Sequence, residues 1–299
     1  MLMQDNPGEV YVRDMVIANN QLLILQESEE VSVRDLSVLM TELDSYYIHL
    51  NGRSVDRIKA ADSVQLYGSA TDIFVASREV EQSKYSFSSM SKSLDFNHNV
   101  LAYADEKLKL FDISKGKLEL IEETDVGYSV NVKLQDDLLY NNMGFVFNTA
   151  AQVNKLDVVS AFGSHNISTT AIVQSDSNLY YLSSGELFAY DNSDPQNPLA
   201  IDKLVISDLN HPEIYYFTSL AVHQGHIFLG TSGQGLYHLY NDGSRITNLG
   251  SFGDSEIISS LHIVDSYLYQ TYYGGLNIWD LSNLDSPLLA ASYSEFSGA

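Results

Sequence analysis

Seven segments of the chain repeat one order of residues: a short β-rich run, then a residue that is mostly Asp, Ser or Thr, then a polar turn. The order is fullest in GGLNIWDLSNLDSPLL (274 to 289) and GELFAYDNSDPQNPLA (185 to 200). KLKLFDISKGKLEL (107 to 120) and VSVRDLSVLMTEL (31 to 43) carry its centre, and TDIFVAS, MGFVFNT and GQGLYHLY are weaker copies. Taking the first apolar residue of each run as an anchor gives Val31, Ile73, Leu108, Phe145, Leu187, Leu236 and Leu276, spaced 42, 35, 37, 42, 49 and 40 residues apart. The mean spacing, about 41 residues, is the length of a unit of four short strands.

Two further β-rich runs precede most anchors, such as SSLHIV and YLYQT before Leu276 and SLAVH and HIFLG before Leu236. Polar turns of two to five residues separate them, which is the pattern of hairpins. No stretch holds a 3.6-residue apolar period, so helices are not expected. Runs such as LLIL and HIFL are apolar on both faces. A strand needs that pattern when sheets cover it on both sides. The reading is an all-β, seven-bladed β-propeller with four antiparallel strands per blade. It forms a single domain over residues 1–299, with blades near 9–48, 49–90, 91–125, 126–163, 164–208, 209–252 and 253–296. The ring closes either by packing of a complete last blade or by a strand from GEVYVR (8 to 13) added to it.

Composition narrows the partners. Sixteen basic against 39 acidic residues leave a net charge of −23, which repels phosphate backbones and anionic lipid. Nucleic acid and direct membrane insertion are therefore not expected, and no apolar run reaches the ~18 residues of a membrane helix. The chain has no cysteine, so disulfides, thiolate metal sites and cysteine nucleophiles are excluded. Its start, MLMQDNPGEV, shows no basic stretch followed by an apolar one, and no signal peptide is visible.

Four residues after each anchor stand Asp35, Ser77, Asp112, Thr149, Asp191, Tyr240 and Asp280. Asp and Ser at strand ends accept N–H bonds from the residues that follow and fix a turn. Asp35, Asp112, Asp191 and Asp280 are read as structural turn residues, too far apart to share a metal ion.

The order Leu-x-Ile-x-Asp-apolar-Ser, followed by a proline turn, resembles the LVIVD repeat of bacterial and archaeal surface or exported proteins. Residues 276 to 289 and 187 to 200 carry it best. The resemblance covers the first, third, fifth and seventh units and fades in the others, where the Asp is absent. It implies a propeller outside the cytoplasm, periplasmic, secreted or at the cell surface, with no defined chemistry. Trp279-Asp280 also looks like the dipeptide of WD repeats. That family pairs it with an upstream Gly-His, and the only Gly-His here, Gly225-His226, opens a strand of a different unit.

No nucleophile elbow, phosphate loop or dinucleotide fingerprint occurs. GTSGQG (230 to 235) reads as a tight turn between strands. Five of the eight histidines fall late, at His211, His223, His226, His238 and His262. Alternation along strands is expected to send His223, His226 and His238 to different faces, so structural roles are favoured over a metal or catalytic cluster. Candidate binding residues lie on turns between second and third strands and nearby: Asn141, Asn142, Tyr272 and Tyr273, with Tyr215 and Tyr216 in EIYYFTSL. Exposed aromatics there would anchor a partner; packing of these tyrosines against neighbouring loops is the favoured alternative.

These features favour a non-enzymatic binding propeller that presents loops to a protein or carbohydrate. The alternative is a lactonase, isomerase or hydrolase of propeller type holding Ca2+ or another divalent cation in its channel. A third reading is a structural module of a larger surface protein. No cofactor is expected on the leading reading.

Overall fold

The structure is a computed structural model of the chain. It describes residues 12–18, 21–26, 30–35, 45–49, 57–61, 64–68, 72–77, 80–86, 93–97, 99–104, 107–113, 117–125, 131–149, 157–161, 169–183, 185–209, 216–253, 257–272 and 275–293. Among these residues the protein is all-β apart from a 3-10 turn at Ile206–Leu209, and its 28 strands form seven four-stranded antiparallel sheets.

The first sheet holds β1 (Val12–Ala18), β2 (Gln21–Gln26), β3 (Glu30–Asp35) and β4 (Ser45–His49), and the second β5 (Arg57–Ala61), β6 (Val64–Gly68), β7 (Asp72–Ser77) and β8 (Val80–Ser86). β9 (Ser93–Asn97), β10 (Val100–Ala104), β11 (Leu108–Asp112) and β12 (Glu119–Thr124) make the third. The fourth holds β13 (Val132–Gln135), β14 (Leu138–Asn141), β15 (Phe145–Asn148) and β16 (Asp157–Ala161). β17 (Thr169–Ser175), β18 (Asn178–Ser183), β19 (Glu186–Asp191) and β20 (Leu199–Val205) form the fifth. The sixth is β21 (Phe217–His223), β22 (His226–Thr231), β23 (Leu236–Asn241) and β24 (Ile246–Phe252). The seventh is β25 (Ile258–Val264), β26 (Tyr267–Tyr272), β27 (Gly275–Asp280) and β28 (Leu288–Tyr293). Each anchor of the repeat lies in the third strand of its sheet.

Within a sheet the strands run in chain order, each paired with the next. The second strands are the most apolar because neighbouring sheets cover both faces: all six residues of β22 are buried. Fourth strands are mostly exposed, as in β12 and β28. In the second through seventh sheets the pairing of third with fourth strand slips by a bulge, which strengthens the right-handed twist toward the edge. Two-residue turns join several first and second strands, and their leading residues Asp136, Asp176, Gln224 and Asp265 hold φ near +50° (50, 52, 50 and 53). Asp tolerates this left-handed region better than most side chains.

The core lies between sheets. Leu182, Leu187 and Leu239 join the fifth and sixth, Tyr140, Val146 and Tyr181 the fourth and fifth, and Phe228, Leu268 and Trp279 the sixth and seventh. Met15 and Leu22 of the first sheet pack against Tyr269, Leu276 and Ile278 of the seventh. The first strand of each sheet lies beside that of the next, and β1 neighbours both β5 and β25. The fold is β-propeller-like.

Candidate functional site

The turns between second and third strands, where binding residues were expected, are occupied by packing. Asn141 and Asn142 are fully buried, not displayed on a loop. Asn141 Oδ1 accepts the N–H groups of Met143 at 3.1 Å and Phe145 at 3.0 Å. Its carbonyl accepts the Tyr181 hydroxyl of the fifth sheet at 3.1 Å. Asn142 Oδ1 accepts the Asn131 N–H at 3.3 Å. Both amides brace a turn that the next sheet covers.

Tyr272 ends β26 half-buried, with its ring folded across Gly275. A Cβ at Gly275 would collide with the ring, so glycine is what lets the tyrosine lie there. Tyr216 is 45% exposed and clamps the 230–235 turn through its backbone: its N–H donates to Ser232 Oγ at 3.2 Å and its carbonyl accepts the Ser232 N–H at 3.1 Å. Thr231 Oγ1 accepts the Gln234 N–H and donates to the Gly235 carbonyl. Of the six binding candidates, Tyr216 is exposed, and Tyr215 and Tyr273 lie outside the described residues.

At the opposite ends of the sheets, two carboxylates of the repeat, Asp191 and Asp280, hold turns. Asp191 Oδ1 accepts the Ser193 N–H at 2.9 Å and Asp280 Oδ1 the Ser282 N–H at 2.8 Å. Those N–H bonds hold both carboxyls below the usual carboxylate value. Asp112 is half-buried at the end of β11, and Asp35 ends β3. In the sixth unit, where Tyr240 takes the repeat position, the work passes to Asp242. Its Oδ1 accepts the Ser244 hydroxyl at 2.7 Å and the N–H groups of Ser244 and Arg245 at 2.9 Å.

Two buried polar arrangements were not foreseen. Asn192 Nδ2 donates to the Tyr140 hydroxyl at 2.8 Å, and Asn241 Nδ2 to the Tyr180 hydroxyl at 2.9 Å, each across a sheet junction. The second is a histidine pair, which corrects the expectation that alternation separates these rings. His226 faces Tyr240 and Phe228 faces His238 across the β22–β23 ladder, so both histidines fall diagonally on one face. His226 Nδ1 and His238 Nε2 are 2.8 Å apart. His223 stands directly opposite His226 on β21. Burial pushes both rings toward the neutral form, His238 to about 4, while Asp285 acts the other way. Among the described residues, no three His, Asp or Glu side chains converge in a group that could hold a metal ion.

No protein-family model matches the chain, and no curated protein matches it. Solved structures are similar to it. The computationally designed Ika8 protein superposes with a TM-score of 0.71 at 14% identity, over 97% of this chain and 89% of that one. Hsv2 of Kluyvelomyces marxianus gives 0.67 at 9% identity, covering 95% and 99%. U3-55K gives 0.67 at 10% identity, covering 91% and 90%. At such identities the likeness concerns the fold alone.

Proposed function

We propose that the protein is a closed, seven-bladed propeller of the LVIVD-repeat kind that works as a non-enzymatic binding platform outside the cytoplasm. Closure is supported by β1 lying beside both β5 and β25, and by Met15 and Leu22 packing on Ile278. The LVIVD kinship and the location rest on the repeat residues, above all 276 to 289. A protein or carbohydrate is the partner proposed, met by loops on a rigid ring.

One observation carries the reading. Most of the buried polar contacts among the described residues join one sheet to the next or brace a single sheet: Asn192 on Tyr140, Asn241 on Tyr180, Trp279 on Gln270, and Asp95 on the Leu134 N–H of the next sheet, while the perturbed histidine pair, His226 and His238, is buried within the sixth sheet. An enzyme of this shape concentrates perturbed acids and bases where loops converge. The test pairs binding with metal analysis. Glycan arrays and calorimetry should find saturable binding of one ligand class that the protein leaves chemically unchanged. Stoichiometric Ca2+ in the purified protein, together with turnover of a lactone or sugar that stops on chelation, would replace this reading with the enzymatic one.

A further inference from the structure

His226 and His238 are 9% and 4% exposed and joined by one hydrogen bond. Such a bond needs one nitrogen carrying a proton and one bare. Two neutral imidazoles satisfy it, and so does a pair sharing a single extra proton. Two imidazoliums cannot, because all four of their nitrogens donate.

The surroundings make a second proton costly. Phe228 stacks on His238 with centroids 5.0 Å apart and planes at 7°, and Tyr240 covers His226 at 4.9 Å. The titratable groups around the pair are His223 on β21, Tyr240 on β23 and Asp285 in the turn between β27 and β28. β24 contributes Phe252 and has no charged residue. Phe252 then links the pair to the seventh sheet. It meets His238 edge-on at 6.2 Å and Trp279 edge-on at 4.7 Å.

We propose that the His226–His238 pair is an acid-sensitive latch of the sixth sheet: arrival of the second proton turns the shared hydrogen bond into repulsion, and the β22–β23 hairpin loosens from Phe252 and the seventh sheet. The pH window follows from linkage. Both rings are held below the ordinary 6.5, His238 at about 4. An opened hairpin therefore binds more protons than a closed one as pH falls from 6.5 toward 4, and opening grows across that interval. Asp191, Asp242 and Asp280 are held below 3.8, so their turns persist through it. The latch releases before the carboxylate turns do.

Trp279 is the only tryptophan, and it reports on this junction. Its emission should change reversibly between pH 6.5 and 4 at constant ionic strength. Over the same interval, hydrogen exchange in His226–Asn241, corrected for its intrinsic pH dependence, should speed up by as much as about tenfold per pH unit. Exchange in Asn178–Asp191 should stay unchanged. His238→Gln keeps a hydrogen-bonding group without the titration and should abolish both effects. Should that variant not fold, proton NMR of the wild-type histidines decides: His238 titrating near 4 with His226 below 6.5 supports the latch. Two rings titrating at 6.5 would overturn it. So would a fluorescence transition that survives in His238→Gln, one that begins only below pH 3.8, or exchange that rises evenly over all sheets.

Discussion

Asn192 reaches from the fifth sheet to the fourth and donates a hydrogen bond to the Tyr140 hydroxyl at 2.8 Å. One junction further on, Asn241 and Tyr180 repeat the contact at 2.9 Å. At the next, the two positions hold Leu281 and Phe228, which share an apolar cluster. The residue after the turn position of one sheet thus meets the third residue of the preceding sheet's second strand. The joint exists in a polar and an apolar version.

The polar version should be convertible into the apolar one. Tyr140→Phe leaves the buried Asn192 amide unpaired, and Asn192→Leu strands the Tyr140 hydroxyl; each should cost about 1–3 kcal/mol. Asn192 Oδ1 already lacks a partner among the described residues, so the Tyr140→Phe, Asn192→Leu double variant loses little. Urea unfolding should place it within about 1 kcal/mol of wild type, with a coupling close to the sum of the single losses. A double variant that merely adds the two losses would show that the joint is not interchangeable.

Gly230 lies where the first strands of the sixth and seventh sheets press on β22. A Cβ there would overlap Ser219 Oγ and stand 2.9 Å from Ile258 Cγ2 and from Thr218 Oγ1. Gly230→Ala should destabilise by about 1–3 kcal/mol through overpacking. Gly185 has nothing within 4 Å of the same position, and Gly185→Ala should leave the melting temperature nearly unchanged. Equal melting temperatures for the two variants would contradict this packing.

Tyr272 was a binding candidate, and stability measurements separate that role from a structural one. Its ring packs over Gly275 and against the cluster that holds Trp279 and Leu268. Tyr272→Ala should cost about 2–4 kcal/mol, below the roughly 3–5 kcal/mol of a fully buried aromatic because the ring is half-buried. Gly275→Ala should expel the ring and show a comparable loss. An unchanged denaturation midpoint in Tyr272→Ala would return the residue to the list of exposed anchors.

The repeat was legible because third strands combine two constraints, apolar coverage on both faces and a turn-forming residue at a fixed distance. Even the degenerate Ile73 and Phe145 therefore fell in third strands. The candidate site was far less legible. Asn141-Asn142 announces a turn, but only the neighbouring Tyr181 and Asn131 show that the turn is covered. The same limit applies to Tyr140 and Asn192, 52 residues apart, since neither carries a local mark of its partner. His226 and His238 were within reach: the 232–235 turn between β22 and β23 sets a register that places them diagonally. Alternation alone, without that register, led to the opposite expectation.

The carboxylate turns predict a second, more acidic transition. Asp280 is held below 3.8 chiefly by the Ser282 N–H. A folded-state value below the unfolded one gives stabilisation that is present above pH 3.8 and lost as pH falls through the folded value. Asp280→Asn can still accept the N–H bond and should keep most of the stability at pH 7, with a flatter profile below pH 4. Asp280→Ala should lose the turn at both pH values. Thermal melts from pH 7 to 2.5 check this, and an Asn variant with the wild-type acid profile would rule out this carboxylate as a contributor.

The final prediction concerns the Trp-Asp pair itself. Trp279 Nε1 donates to Gln270 Oε1 at 2.7 Å, within one sheet, and Gln270 is 1% exposed. The indole also meets Phe252 of the sixth sheet, so Trp279 joins two sheets while its N–H satisfies a buried amide. Trp279→Phe keeps most of the apolar contact and leaves Gln270 Oε1 without its donor, a cost of about 1–3 kcal/mol. Adding Gln270→Leu removes that orphaned acceptor and should recover a large part of the loss. Recovery measured by guanidinium unfolding would identify the tryptophan's role here as satisfying Gln270 within its own sheet. A further loss in the double variant would instead mean that Gln270 has a second role at this junction, independent of the indole.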